Sequence, residues 1–95
     1  MANEYEWDDA KADANFRKHG VDFATATEAF DDIFCLDDVE SSMDYGEPRF
    51  KCIGRAGGGL ILVIYTGRGD TIRIISARSA TRREHDRYHS ENAQE

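Results

Sequence analysis

The sequence predicts a single α+β domain over residues 1–95, with two N-terminal helices and one C-terminal helix packed on a small antiparallel sheet of three to four strands. Three observations lead to this prediction. The length of 95 residues suits one hydrophobic core, and 40% hydrophobic residues with a single proline are typical of a folded chain. Apolar residues recur every three or four positions in the first half. In the second half they alternate or run together between glycine-rich turns.

Two helices joined by a tight connection are predicted in the first half. Asp8 can cap a helix that runs through about Lys18, and Gly20 follows as a residue that ends helices. A second helix begins at Asp22. Its apolar stripe consists of Phe23, Ala26 and Phe30. The two helices therefore form a hairpin that turns within the stretch KHGVDF.

The second half predicts consecutive strands joined by tight turns. Residues 56–59 (AGGG) and 67–70 (GRGD) have the composition of hairpin turns, so the strands beside them are antiparallel. The stretch SSMDYGEP at 41–48 is predicted to be a loop. The predicted strands are a short one at 34–36 and longer ones at 49–56, 60–66 and 71–77.

A last helix is predicted to begin at Ser79 or Thr81 and to end at about Tyr88. Thr81 and Glu84 have the spacing of a capping box, in which each side chain bonds the backbone of the other residue. This helix completes the predicted α+β architecture.

Composition excludes several classes of protein. The longest apolar run is LILVIY at 60–65, whereas a membrane-spanning helix needs roughly 20 such residues. The start MANEYEWDDAK lacks the basic and apolar segments of a secretory signal, so we expect a cytoplasmic protein. Cys35 and Cys52 have no metal-ligand spacing. We expect free thiols, with a disulfide as the open alternative.

Charge is distributed unevenly along the chain, whose formal net charge is -7. Residues 1–48 contain 14 acidic and 3 basic side chains, whereas residues 49–95 contain 9 basic and 5 acidic ones. Eight of those nine are arginine, whose planar fork of donors suits phosphate. The stretch RIISARSATRRE at 73–84 holds four of them. These arginines are either a phosphate-binding surface or ordinary solvated charge.

Four blocks, in this order, resemble those of a known family: EWDDAKADANFRKHGVDFATATEAFDD, GEPRF, IGR and YTGRGDTIRIISARSATRREHDRY. On these blocks, which cover about residues 5–88, the chain resembles the BrnT family of bacterial type II toxins. That family is similar in fold to the RelE/ParE toxins. Two places depart from the family pattern. Pro48 stands where an acidic residue is usual, and His85 and Asp86 stand where arginine is frequent.

The resemblance implies a metal-independent endoribonuclease that needs no cofactor, cleaves RNA and inhibits translation. It also implies neutralisation by a BrnA-type antitoxin, in a heterotetramer built on an antitoxin dimer. Operator DNA would be bound only through that antitoxin, and no membrane is involved. The alternative is a toxin-like protein-binding module with weak or no catalysis. A DNA-binding regulator acting alone is disfavoured, because the two paired helices are the acidic ones.

RNA can be cleaved without a metal ion when the 2′-hydroxyl attacks the adjacent phosphorus. The reaction needs a base, an acid for the departing 5′-oxygen and cations for the charge that develops on the phosphoryl oxygens. Arg49, Arg73 and Arg78 are the catalytic cations that we predict, and Arg68 and Arg82 are predicted RNA contacts. Their alternative role is to pair with carboxylates or helix carbonyls. In an ideal strand Arg73 and Arg78 face opposite sides, although a turn near Ala77 could re-aim Arg78.

His19 and Glu47 are the candidates for proton transfer. A histidine side chain can act as a base or an acid near neutral pH, and the alternative role for His19 is that of a favourable charge at the end of a helix. Glu47 could be the base, or it could orient Arg49. Lys18 and Tyr88 are predicted RNA contacts, with a helix-end charge and a core position as their respective alternatives. The acidic first half could repel RNA, attract a basic antitoxin segment or simply maintain solubility.

Overall fold

The computed structural model describes residues 4–44 and 47–93, and for residues 41–44 it describes the backbone only. The architecture is α+β, with one sheet that carries helices on both faces. In chain order the elements are β1 (Glu4–Glu6), α1 (Asp9–His19), α2 (Phe23–Ala26), a 3-10 helix (Thr27–Asp31), β2 (Leu36–Asp44), β3 (Glu47–Ala56), β4 (Gly59–Arg68), β5 (Thr71–Ser79) and α3 (Arg82–Asn92).

The strands form one sheet in the order β1–β5–β4–β3–β2. The prediction of three to four antiparallel strands needs correction, because the sheet has five strands and β1 is parallel to β5. β1 has only three residues, too few to show an alternating pattern. β2 occupies Leu36–Asp44, where the sequence predicted a strand at 34–36 and then a loop at 41–48. Residues 45–46 of that predicted loop lie outside the described part of the chain.

The predicted helix caps are confirmed, but α3 runs to Asn92 rather than ending at about Tyr88. The Asp8 side chain accepts a hydrogen bond from the backbone N–H of Lys11 at 3.0 Å, and Gly20 ends α1 with φ 75°. Asp22 caps α2 by accepting from the N–H of Thr25 at 2.7 Å. The second predicted helix is real but divided, because α2 is only four residues long and continues as the 3-10 helix. The capping box of α3 is present.

Glycine permits two close features of the sheet. The β3–β4 turn consists of Gly57 and Gly58, with φ 60° and 85°, as a two-residue hairpin turn of this hand requires. At Gly54 the 3-10 helix lies directly against β3, and a Cβ atom there would come within 2.6 Å of the Ala29 carbonyl oxygen. Only glycine therefore allows the 3-10 helix this approach to the sheet.

Two clusters of buried side chains, one on each face of the sheet, make up the core. We call the faces the hairpin face, covered by α2 and the 3-10 helix, and the α3 face, covered at one end by α3. The hairpin face buries Phe23, Ala26, Ala29, Cys52, Ala56, Ile61, Val63, Ile74 and Ala77. The α3 face buries Ile53, Leu60, Leu62 and Tyr88. Each buried aliphatic side chain contributes ~1.5–3 kcal/mol relative to an exposed one.

A bulge in β5 decides which way its arginines point. Ile64 of β4 pairs with Ser76, but the next residue, Tyr65, pairs with Ile74, so Ile75 is an extra residue in β5. The expectation that Arg73 and Arg78 face opposite sides is wrong for this reason. Because Ile75 has no partner in β4, the five-residue separation of Arg73 and Arg78 counts as four positions along the sheet. Both side chains therefore point to the α3 face.

A side chain of α1 takes the place of a backbone partner at the edge of β5. The Asn15 amide donates to the Ala77 carbonyl at 2.8 Å and accepts from the Ala77 N–H at 3.2 Å. Its Nδ2 also donates to the Val21 carbonyl at 3.1 Å. β1 covers the first part of the same edge through its pairing with residues 71–73. Asn15 thereby fixes α1 beside β5, which matters for the site below.

Both cysteines are free thiols in this structure. Cys52 is fully buried and donates to the Ala29 carbonyl at 3.8 Å, and burial raises the pKa of its thiol well above the ordinary value. None of the helices in the described residues combines the length and the apolar character needed to cross a bilayer.

Candidate active site

One small hollow gathers four of the nine predicted site residues. It measures about 150 Å³ and lies where β3, β4 and β5 meet on the α3 face, away from α3 itself. We call it the cationic hollow. Its lining consists of Lys11, Glu47, Arg49, Thr66, Arg68, Arg73 and Ile75.

Strand register explains why these residues converge. Thr66 and Arg68 of β4 are two residues apart and therefore point to the same face. Arg73 is the partner of Thr66 on one side. On the other side the Thr66 hydroxyl, which is buried, donates to the Pro48 carbonyl at 2.8 Å. This bond fixes the beginning of β3, so that Glu47 and Arg49 reach the hollow.

Two of the hollow's arginines are held by carboxylates. Arg68 Nη2 lies 3.2 Å from both carboxylate oxygens of Glu47, and this pair is about half exposed. Arg73 Nη1 donates to the Glu6 carboxylate at 2.9 Å, with side chains that are 30% and 38% exposed. Such pairs fix the direction of each guanidinium group but contribute little to stability while water reaches them.

The hollow is locally cationic in an acidic protein. Four cationic side chains and one carboxylate line it, and Glu6 adds a second carboxylate behind Arg73. The lining therefore holds more cationic groups than carboxylates. Preorganised cations in a partly enclosed site stabilise anions better than the same groups in open water do.

Arg78 shares the face of Arg73 but lies under α3, and it does not line the hollow. Its two terminal nitrogens donate to the two Glu84 oxygens at 2.9 and 3.0 Å, and one of them also donates to the Ser79 carbonyl at 3.1 Å. Glu84 is the capping-box residue of α3. The Arg78 guanidinium lowers the pKa of the Glu84 carboxyl, although partial burial opposes the shift. Arg78 thus joins the end of β5 to the start of α3.

Four other predicted residues also lie apart from the hollow. Lys18 and His19 are in the last turn of α1, and His19 follows Lys11 by eight residues, or ~12 Å along the helix axis. Arg82 is exposed at the first residue of α3. Tyr88 is 2% exposed, and its hydroxyl donates to Asp32 at 2.7 Å, so neither face of its ring is available to a base. The buried position of Tyr88 favours the core interpretation.

Lys11 was missed by sequence reasoning. It reaches the hollow because β1 and Asn15 hold α1 along the edge of β5. One signal could have indicated it: Lys11 and Lys18 are seven residues apart, which places both on one helix face, away from the acidic side. The sequence does not show how α1 packs against the sheet, so it could not predict what the Lys11 side of the helix faces. Thr66 was missed as well, because it reads as one more residue of a buried strand.

A second, larger hollow does not suit RNA. It measures about 690 Å³ and lies between α1 and α2, with the aromatic residues Trp7, Phe16 and Phe23 and the carboxylates of Asp9, Asp13 and Asp22 in its lining. We call it the acidic groove. Its carboxylates repel phosphate, so size alone does not identify the active site here. Among residues 4–44 and 47–93, no group of three or more His, Cys, Asp or Glu side chains has a metal-binding arrangement.

A family model matches most of the chain. A family model described as "Ribonuclease toxin, BrnT, of type II toxin-antitoxin system" matches residues 7–84. No curated protein sequence is significantly similar to this one. The matched range contains every residue that lines the cationic hollow.

Proposed function

We propose, from the premise that this chain belongs to the BrnT family of ribonuclease toxins of type II toxin–antitoxin systems, that the cationic hollow binds the scissile phosphate of RNA. The observation that supports this proposal is the convergence of Lys11, Arg49, Arg68 and Arg73 on one hollow. Its volume of about 150 Å³ is below the ~300–1,000 Å³ typical of sites for whole small molecules. The hollow therefore suits a single anionic group of an RNA that extends beyond it.

The chemistry that fits is attack by the ribose 2′-hydroxyl on the neighbouring phosphorus. The bond from O2′ to phosphorus forms and the bond from phosphorus to O5′ breaks. The hydroxyl proton passes to a base, and an acid supplies a proton to O5′. The products are a 2′,3′-cyclic phosphate and a 5′-hydroxyl. The cations of the hollow carry the charge on the phosphoryl oxygens, so the proposed reaction needs no metal ion.

Roles follow from the contacts of each residue. Arg49 and Arg73 present guanidinium groups to the phosphoryl oxygens, and Glu6 keeps Arg73 oriented. Glu47 is the proposed base, held in place by Arg68 at 3.2 Å. Lys11 takes the place that His19 had in the sequence-based hypothesis, because it is the other proton donor in the lining. Arg78 acts structurally, through Glu84.

The biological role that we propose is that of a growth-inhibiting toxin in the cytoplasm. Cleavage of RNA would stop translation until an antitoxin of the BrnA type binds the toxin. The complex would be a heterotetramer built on an antitoxin dimer, and only the antitoxin would contact operator DNA. The type II family supports an antitoxin partner, and the finer assignments are part of the proposal.

The direct test is incubation of the purified protein with a long single-stranded RNA in the presence of EDTA. We expect fragments with 5′-hydroxyl and 2′,3′-cyclic phosphate ends. Arg49→Ala should cleave ~100-fold more slowly, as expected when one preorganised donor to a transition-state oxyanion is lost. Arg17→Ala is the matched control, since Arg17 is an exposed arginine paired with Asp13 on α1. Intact RNA at micromolar protein, or cleavage that requires added Mg²⁺, would contradict the proposal.

One observation favours the alternative of a binding module with little catalysis. Glu6 and Glu47 pair with Arg73 and Arg68 at the hollow, which reduces the positive field available to phosphate. If this alternative holds, RNA stays intact while a partner protein still binds. Under this alternative, the Glu6→Gln variant also leaves RNA intact. If the original chain cleaves RNA weakly and Glu6→Gln cleaves it faster, the nuclease proposal is supported instead.

A further inference from the structure

The acidic groove exposes apolar surface to water mainly at Phe16, whereas Phe23 in its lining is only 1% exposed. Trp7 and Phe23 meet edge to face at 5.9 Å between ring centroids, and Phe16 on α1 remains 51% exposed beside them. Ala10 and Ala24, both small and exposed, widen the opening between the two helices. Apolar surface of this kind, set in a concave site, is typical of protein–protein contacts.

Carboxylates surround this apolar floor. Asp9 and Asp13 stand on α1 and Asp22 stands at the start of α2. Arg17 pairs with Asp13 at 2.8 Å, but that pair is largely exposed and leaves the other two charges in place. Hydrogen bonds from the backbone N–H and hydroxyl of Thr25 lower the pKa of Asp22, which stays ionised. The rim therefore keeps a negative charge.

We infer that the acidic groove is the docking site of an amphipathic segment of the antitoxin, with apolar side chains in the groove and Lys or Arg residues against its rim. The inference rests on the proposed function only for the identity of the partner. Charge complementarity selects this occupant. RNA would be repelled, and a second copy of this chain would bring the same aspartates against each other.

The groove and the cationic hollow lie on different sides of α1. Lys11 faces the hollow, whereas Asp9 and Asp13 face the groove, and a rotation of 200° about the helix axis separates Lys11 from either. A segment bound in the groove would therefore anchor the antitoxin without touching the phosphate site. Variants of the groove should lose the antitoxin and keep RNA cleavage.

The experiment uses the full chain and the protein encoded by the adjacent gene, purified together, separated in denaturant and refolded. Calorimetric titration measures their dissociation constant. Ala10→Arg should fill the groove and weaken binding by ~30-fold or more, the effect of losing one central contact. Ala14→Arg, the same change at an exposed alanine outside the lining, should bind within ~3-fold of the original chain.

Charge is tested separately. Asp9→Lys should weaken binding several-fold at low salt and less at high salt, because screening removes the attraction. Asp86→Lys on α3 makes the same change at an exposed position far from the groove and should leave the dissociation constant unchanged. Circular dichroism melts of all four variants show whether each is folded.

Four outcomes would overturn the inference. The first is that Ala10→Arg binds the adjacent gene product as tightly as the original chain does. The second is that the original chain binds that product much more weakly than a dissociation constant of ~10 µM. A dimer of the toxin alone that Ala10→Arg dissociates would make the groove a self-interface. Slower RNA cleavage by Ala10→Arg would make it part of the RNA site. Absence of cleavage by the original chain, with binding lost in Ala10→Arg, would refute only the nuclease proposal.

Discussion

The two ends of the α3 face carry similar residues in opposite arrangements. At the end beneath α3, Arg78 is bidentate to Glu84, and Arg87 contacts Asp38 and Glu91. At the other end, cations outnumber carboxylates around an open hollow. Arg73 at the open end and Arg78 at the α3 end belong to the same strand, β5, and the bulge at Ile75 lies between them.

The role of an arginine at either end depends on which groups its guanidinium N–H donors already bind. Arg78 shares its donors between one carboxylate and one carbonyl, so few are left for a ligand. Arg73 donates to the Glu6 carboxylate and lies beside other cations. The cluster of arginines at 73–84 is thus divided between a proposed site and a structural junction.

The largest effect that we expect is a difference in RNA cleavage between variants of Arg73 and Arg78, which lie at opposite ends of the α3 face. Arg73→Ala should slow RNA cleavage ~100-fold, because a preorganised cation is lost from the hollow. Arg78→Ala should stay within ~3-fold per folded molecule, although the loss of its charged hydrogen bonds costs about 1–2 kcal/mol of stability. Initial rates on a labelled RNA, normalised to the folded fraction, measure both. Equal losses in the two variants would refute the division of roles.

The next effect concerns stability beneath α3. Tyr88→Phe should lower the free energy of unfolding by ~1–2 kcal/mol, because the part-buried Asp32 carboxylate loses its hydroxyl donor. Tyr65→Phe is the matched control, since Tyr65 donates to the exposed Asp37 at 2.6 Å and water can replace it. Urea unfolding followed by circular dichroism gives both values. A larger loss in Tyr65→Phe would mean that the α3 end is not the more tightly bonded region.

Acid should loosen the α3 end. Hydrogen bonds from Arg78 and Arg87 lower the pKa values of Glu84 and Asp38, whose ordinary values are 4.5 and 3.8. Groups with lowered pKa values in the folded state stabilise it fully above those ordinary values and lose the contribution as the pH falls below them. We therefore expect the urea midpoint to fall between pH 5 and about pH 3. Glu84→Gln should show a shallower decline, and a midpoint that is flat over this range would contradict the assignment.

The smallest effect that we expect is the loss of stability when an exposed surface ion pair is removed. Arg17→Ala removes an exposed i,i+4 pair with Asp13 and should cost only ~0.3–0.5 kcal/mol. Its RNA cleavage should not change. Thermal melts at low and high salt measure the loss, which should shrink as salt screens the pair. If Arg17→Ala lowers the free energy of unfolding as much as Tyr88→Phe does, solvent exposure does not predict how much an ion pair stabilises this protein.

Local chemistry made much of the fold predictable. Asp8, Gly20, Asp22 and the Thr81–Glu84 box mark helix ends through hydrogen bonds with nearby backbone, and all of them are found where predicted. β1 and the length of β2 were missed, because pairing partners distant in sequence decide them. The bulge at Ile75 also has no local signature, and it changed the side to which Arg78 points.

The candidate site was predictable to a similar degree. Glu47, Arg49, Arg68 and Arg73 were named from their residue types and the family resemblance, and strand register brings them together. Lys11 could not be found, since its place depends on how Asn15 seats α1 beside the sheet. His19 and Lys18 had the right chemistry, but they lie at the far end of α1.

The Asn15 amide has a consequence for how molecules of this protein can aggregate. An exposed strand edge invites another chain to extend the sheet, and β5 would offer such an edge beyond the three residues that β1 covers. Because the Asn15 carboxamide already bonds both the N–H and the carbonyl of Ala77, another strand cannot form backbone hydrogen bonds with Ala77. Strand addition is therefore disfavoured at this edge, and the other edge strand of the sheet is β2.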